Sequence, residues 1–376
     1  MPPSLEHVSG PARITGPDER ISPEELHLAG RNHAMPLEAL RHDVTPAGLH
    51  YVLTHYDIPE VDTTRWRLAV GGRVLRPLRL ELDQLRSRPR HTITVTMECA
   101  GNGQAHLRPR PVGQPWLEGG VSTARWTGTP LAPLLRQAGL QPGTVEVVFT
   151  GCDHGVERGV EQDYARSLPL VEALRPEVLL AYEMNGRPLP PQHGAPLRLV
   201  VPGWYGMAHV KWLRAITVVD RPFTGYQQLT AYRITREPDE VGEPVRRIRP
   251  RALMVPPGFP DFATRHRVVD AGEVVLRGRA WSGTAPVVRV EVGVATGPDR
   301  PVRWHDAELG PQPEPHAWRP WWYRWRTGAP GDRVLTVCAT DATGDTQPTE
   351  PEWNRQGMAN NAVQRVPVLV RDRLAH

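Results

Sequence analysis

Between Arg233 and Pro257 the chain fills with charge and proline, centred on Arg246-Arg247-Ile248-Arg249-Pro250-Arg251, and the hydrophobic period differs on its two sides. Beyond it, Val288, Val290, Val292 and Val294 alternate with Arg289, Glu291 and Gly293, and Leu335, Val337 and Ala339 alternate with Thr336 and Cys338. A period of two marks half-buried strands, and several of them at short spacing between Gly and Pro turns predict a β-sandwich. Seven of the twelve tryptophans lie after residue 250, with Trp321, Trp322 and Trp325 on one predicted strand, enough aromatic area for a core or an interface. The class is α+β: a mixed first unit over residues 1–240 and an all-β second unit over residues 250–376, joined by a linker.

The first unit carries both signals. Residues 1–50 are Pro-rich and polar and read as an arm wrapped over the rest. Residues 91–95 form a β-branched strand, as do residues 144–150. Thr129-Pro130 opens a helix whose Leu131, Leu134, Leu135 and Ala138 share one face, and Gly139 stops it. Residues 178–183 and 197–201 are apolar runs of strand length with Asn185-Gly186 as a turn between them. No period of 20 to 50 residues indicates a repeat array.

Length and composition narrow the function. A chain of 376 residues exceeds one ordinary core. No apolar run is long enough to span a bilayer and the N-terminus has no export pattern, so a cytoplasmic protein without membrane contact is expected. The formal charge of +4 is spread along the chain, which speaks against nucleic acid. Cys99, Cys152 and Cys338 are too few and too far apart for a disulfide framework or a zinc site. Of 45 basic residues Lys211 is the sole lysine, leaving 45 − 1 = 44 arginines, so Lys211 stands out as a place where a compact ammonium is needed.

The candidate site begins with Met97-Glu98-Cys99-Ala100-Gly101-Asn102, where a strand breaks into a Gly-rich loop and presents one thiol. Taken alone, Cys99 reads first as an inert buried thiol, since free cysteine is commonly buried; the nucleophile of a hydrolase with His193 or His209 and Asn102 is a further alternative. Cys152 and Cys338 read as packing residues. Three further patches accompany Cys99: Pro115-Trp116 running on to Ser122-Thr123-Ala124-Arg125-Trp126; Gln192-His193-Gly194-Ala195-Pro196-Leu197-Arg198; and Pro202-Gly203-Trp204-Tyr205-Gly206-Met207-Ala208-His209-Val210-Lys211-Trp212.

In order and wording these patches resemble the molybdenum cofactor domain of the sulfite oxidase family. Ala280-Trp281-Ser282-Gly283, Gln347-Pro348 and Trp353-Asn354 resemble that family's immunoglobulin-like dimerisation domain. The resemblance covers roughly residues 50–370. It implies a mixed α/β cofactor domain followed by the sandwich, a homodimer, and molybdenum held by one pyranopterin dithiolene and by Cys99. The family's animal enzymes add a haem domain, but the stretch before residue 50 is too short to be one, so no haem is expected in this chain. A soft thiolate suits such a metal. It also assigns His55, Asp153, His193, Arg198, His209 and Lys211 to the cofactor, and Tyr232 and Trp116 to the substrate.

The implied activity is oxygen-atom transfer, with sulfite as the first substrate and a cytochrome or dioxygen as external acceptor. The alternatives are a reductive member acting on a sulfoxide, and a non-catalytic chain that associates through its second unit. The family's substrate arginines are not matched: Leu53, Gln104 and Gln356 stand in their places. Arg108, Arg110 and Arg355 are candidate substitutes. An Arg31-Asn32-His33 string lies upstream of the position where an arginine is expected and reads as coincidence.

Overall fold

The computed structural model describes residues 14–297 and 300–372. Its first part contains two five-stranded sheets. One has the order β2 (Leu78–Leu80), β1 (Leu68–Gly72), β10 (Leu213–Val219), β5 (Glu146–Glu157), β6 (Val160–Pro169), with only β1 and β10 parallel. The other runs β3 (His91–Glu98), β4 (Val121–Pro130), β7 (Leu179–Met184), β8 (Arg187–Pro188), and β9 (Arg198–Val200) also pairs with β7.

Strand β7 is apolar without alternation because both of its faces are covered. Leu180 and Tyr182 enter the core shared with the first sheet, while Leu179, Ala181 and Met184 enter a second core that reaches Trp281 and Trp318. Asn185 and Gly186, at φ 52° and 77°, make the tight turn from β7 into β8, an arrangement both residue types accept at low cost. The predicted helix is α3 (Leu131–Ala138). Its Leu131, Leu134, Leu135 and Ala138 are buried, and Gly139 ends it at φ 74°.

Strands from two sheets share the third core. Ala252, Leu276, Trp321 and Trp325 come from a four-stranded sheet, and Val290, Val337, Val366 and Val368 from a six-stranded one, which makes the all-β sandwich. Two details differ from the sequence reading. Val288 points outward at 53% exposure, because the register shifts between Val287 and Arg289 and the bulge turns it away from the core. The charged stretch is more than a linker: Arg233–Ile234 pairs with Glu243–Pro244, and Arg251–Met254 is a strand of the four-stranded sheet.

Part of the N-terminal arm lies outside the described residues. From Ser22 it is ordered by a capping box, with Ser22 and Glu25 each accepting from the other's backbone N–H ahead of helix α1 (Pro23–Arg31). It bonds to both parts of the molecule. Arg110 pairs with the fully buried Glu25 at 2.7 Å, and Trp318 donates to Asp43 O.

Candidate active site

Cys99 ends β3. Its N–H donates to Gly120 O at 2.8 Å, its carbonyl accepts from Asn102 N at 3.0 Å, and the backbone then turns through Gly103 at φ 85°. Glu98 anchors this break. Its carboxylate accepts from Arg251 at 2.8 Å, Trp281 Nε1 at 2.8 Å and Asn102 Nδ2 at 2.9 Å, so a strand of the sandwich fixes the residue next to the thiol. Glu98 and Arg251 are 153 residues apart, and no local pattern announces the pair.

The thiol stands between two cavities that share Leu53, His55, Cys99 and Tyr232 in their linings. The inner one holds about 650 Å³ including the solvent at its mouth and is the polar end. Arg198, on β9, donates to His193 O at 3.0 Å and His209 O at 3.3 Å, stacks over Trp126 at 4.5 Å, and leaves Nε without a partner. Lys211 Nζ donates to Leu53 O at 2.7 Å and Gln192 O at 3.4 Å. Gly194, at φ 104°, lets the chain pass so close that a Cβ there would lie 3.0 Å from the Lys211 side chain. His193 Nε2 and Asp153 Oδ1 are buried without partners.

Burial pushes the Lys211 ammonium down to about 7, helped by the Arg198 charge, and lifts the Asp153 carboxyl to about 6. It also drives the imidazoles toward the neutral form, His193 to about 2 and His209 and His50 to about 3. The Cys99 thiol rises to about 11.

The outer cavity opens to solvent and holds about 1820 Å³ including its mouth. Its wall includes Trp116, Met358, Gln104 and Gln356, with Leu28 of α1 at the rim. Gln104 donates to Pro111 O at 2.9 Å and Gln356 to Thr230 O at 3.3 Å. Tyr232 follows a single π-helical turn, Gln227–Ala231, and its hydroxyl lies 2.7 Å from His55 Nε2. Such turns are rare and concentrate at functional sites.

The structure therefore brings Cys99, His55, Asp153, His193, Arg198, Lys211 and Tyr232 to one cleft, with Trp116 on its outer wall. His209 lines the cleft too, yet both ring nitrogens are used internally. Nδ1 accepts from Val201 N at 3.1 Å and Nε2 donates to Trp204 O at 3.0 Å. That corrects its reading as a ligand donor: it is a satisfied core histidine that positions β9.

Arg110 is committed to Glu25, and Arg108 NH1 to the carbonyls of Ala105 and Leu107, each at 2.7 Å; Arg355 lies outside the linings of both cavities. The Arg31-Asn32-His33 string is no spatial coincidence. His33 bridges Val52, Asn32 Oδ1 accepts from Thr54 N at 2.8 Å, and Arg31 donates to Tyr56 O at 2.6 Å, alongside the segment where the arginine was expected. Arg166 was missed altogether. It is 2% exposed and lies over the Tyr232 ring, its guanidinium carbon 5.4 Å from the centroid.

Among the described residues, no group of three or more His, Cys, Asp or Glu could hold a metal ion. A metal at Cys99 would therefore take most of its ligands from an organic group. The buried partnerless His193 Nε2, Arg198 Nε and Asp153 Oδ1 fit such a group, since two imidazole and guanidinium nitrogens and one carboxyl oxygen lack partners beside the thiol.

Comparison with known proteins identifies the family. Residues 55–227 match the family described as oxidoreductase molybdopterin binding domain, and residues 261–371 match the Mo-co oxidoreductase dimerisation domain. Mitochondrial sulfite oxidase of Rattus norvegicus is 35% identical over 349 residues, 87% of this chain and 62% of that protein. Sulfite oxidase of Gallus gallus is 36% identical over 344 residues, 86% of this chain and 72% of that protein. The chain thus spans about 62% of the length of its mammalian relatives. The crystal structure of the sulfane dehydrogenase SoxCD from Paracoccus pantotrophus superposes with a TM-score of 0.75 at 27% identity, covering 98% of this chain and 91% of that one.

Proposed function

The chain belongs to the sulfite oxidase family of molybdopterin-binding oxidoreductases, and from that premise we propose that it oxidises a small sulfur oxyanion, sulfite first, and passes the electrons to an external acceptor. The observation that carries the reading is a single thiol set between a cavity of partnerless buried polar atoms and a solvent-open cavity that ends on Tyr232. When bound, a molybdenum pyranopterin would supply two-electron oxygen-atom chemistry.

Cys99 Sγ would be the protein's ligand to the metal. Burial holds its thiol in the protonated form, so binding a metal there would release that proton. Arg198 and Lys211 would hold the anionic part of the cofactor. Both bond only backbone carbonyls and the Met97 sulfur in the protein, so their charge stays available to a ligand. His193 Nε2, on a neutral ring, would bond a polar atom of the cofactor, and Asp153 Oδ1 would accept from one of its N–H groups. Trp116 would wall the substrate against bulk water.

Tyr232 and His55 would handle a proton. Burial and the charges of Lys211 and Arg166 keep the His55 ring neutral, outweighing the pull of Glu157. Either neutral tautomer satisfies the 2.7 Å contact: Tyr232 O–H donates to Nε2 in one, and Nε2–H donates to the phenol oxygen in the other. In the second arrangement the Tyr232 O–H is free to donate a hydrogen bond to a substrate oxygen while phenol and imidazole both stay neutral.

One observation favours a second reading. No arginine stands at Leu53, Gln104 or Gln356, so Arg158 is the one arginine in the lining of the outer cavity, and the rest of that surface also suits a neutral sulfoxide for reduction. In either reading the second part would join two copies of the chain, as the name of its matching family suggests.

Metal analysis of protein from a cofactor-competent host, beside Cys99→Ser, followed by sulfite with ferricyanide, tests the proposal. Near-stoichiometric molybdenum and sulfite turnover, both lost in Cys99→Ser, is expected. Molybdenum without sulfite turnover, but with sulfoxide reduction, transfers the assignment to the second reading; wild-type protein without molybdenum overturns both.

A further inference from the structure

Strand β6 alternates its side chains, and Tyr164, Arg166 and Leu168 share the face that packs into the first core. A guanidinium at such a position is costly to bury unless a partner balances its charge. Arg166 has no such partner among the described residues. Its NH1 donates to Gln227 O and its Nε has none. The carboxylate that acts on it, Glu146, is already held by Ser167 Oγ at 2.7 Å and Phe223 N at 3.0 Å. What Arg166 does face is the Tyr232 ring. Gln227 O, its one strong acceptor, belongs to the first residue of the π-helical turn that leads into Tyr232.

We infer that Arg166 is a positioning residue for the substrate end: from behind Tyr232 it supplies the positive field that positions 53, 104 and 356 do not, and it pins the turn that presents the Tyr232 hydroxyl to an oxyanion. The inference rests on the oxyanion reading above. Arg166 lines neither cavity, so it acts through Tyr232 and not by contact. An arginine stays protonated throughout the working range, and a unit charge one ring away in a partly dehydrated site still acts on an anion. The expected effect is about tenfold on anion affinity.

The experiment uses molybdenum-loaded wild type, Arg166→Lys and Arg166→Met, with metal content measured for each. Sulfite KM and kcat are determined, and sulfate affinity is measured independently by titrating tryptophan fluorescence. Arg166→Met should raise sulfite KM and sulfate Kd about tenfold with kcat within threefold, and Arg166→Lys should restore most of both. An unchanged Kd in Arg166→Met overturns the inference, as does equal weakening in both variants, which would mark a packing role. Should Arg166→Met fail to fold, Arg166→Lys alone decides: Kd within threefold of wild type supports the field, and a tenfold loss overturns it. A wild type that binds sulfate but does not turn over sulfite would sink the activity proposal while the Kd comparison still scores Arg166; a wild type that binds no sulfate overturns the inference itself.

Discussion

At the inner end of the cleft Arg198 and Lys211 are buried against backbone carbonyls, whereas at the outer end Gln104 and Gln356 turn their amides back into the fold and leave Trp116, Met358 and Leu53 to face the opening. A carbonyl satisfies a donor without cancelling its charge, so the inner end stays positive and ready for an anionic ligand. The outer end turns the amides of Gln104 and Gln356 inward and, beside one phenol and one imidazole, has Arg158 as the one arginine of its lining, with Glu24 and Glu157 in the same wall. The two ends thus separate jobs: the inner one is built to anchor, and the outer one leaves selectivity to a few positions.

That contrast depends on Cys99 being fixed between the ends, which makes the Glu98 to Arg251 pair the largest lever. Both side chains are at most 3% exposed. Arg251→Met should cost about 3 to 5 kcal/mol of stability by stranding the Glu98 carboxylate, and should lower molybdenum content with it. Urea denaturation of the variant checks this; a loss under 1 kcal/mol would mean that the sandwich does not hold the Cys99 loop.

The second effect is pH dependence of the cofactor-free protein. His50 and His209 sit at about 3 and His193 at about 2, below the ordinary 6.5, so each contributes its full stability above 6.5 and loses it as the pH falls. Each should cost about 1.4 kcal/mol per pH unit below that value. Asp153 works in the opposite direction: raised to about 6, its contribution is complete below its ordinary 3.8 and is lost as pH rises through 6. Three groups outweigh one, so the urea midpoint should drop steadily from pH 6.5 to 5. A flat profile over that range would mean that the inner end is hydrated when empty.

How much of this was readable beforehand follows from how local each cause is. The Cys99 break, helix α3 and the existence of strand β7 were legible, because a β-branched run, a glycine stop and an apolar run of strand length each act within a few residues, whereas the covering of both faces of β7 is a product of the fold. Arg166 was not, since its value lies in a partner 66 residues away, Tyr232, and a charge in a strand ordinarily faces water. The Glu98 to Arg251 pair and the placement of Arg31 beside Thr54 are likewise products of topology. His209 misled for a related reason: its residue type suits a ligand, and only the fold shows both nitrogens occupied.

A smaller effect probes the inner end alone. Lys211→Met removes an ammonium whose burial already disfavours its charge, along with its bonds to Leu53 O and Gln192 O, so the two changes should nearly offset in the empty protein. In the loaded protein the charge meets its ligand. The extra stability that the cofactor confers should therefore shrink by about 1.5 to 3 kcal/mol, read as a smaller gap in Tm between loaded and empty forms. An unchanged gap would remove Lys211 from the anchor.

The smallest effect asks whether the outer end can be given what the inner end has. Gln104 is the wrong place to try, because Gly113 and Gly357 pack so closely that a Cβ on either would come within 2.7 Å of its side chain, and an arginine there would overpack. Gln356 is only half-buried and bonded through one long contact to Thr230 O, on the turn ahead of Tyr232. Gln356→Arg should tighten sulfate binding about fivefold, close to 1 kcal/mol, and leave Tm within about 2 °C. The same change should weaken any neutral sulfoxide that the wild type accepts, since it adds a desolvation cost without a matching anion. Opposite shifts for the two ligands would show that charge at this wall sets selectivity, and equal shifts would show that shape does.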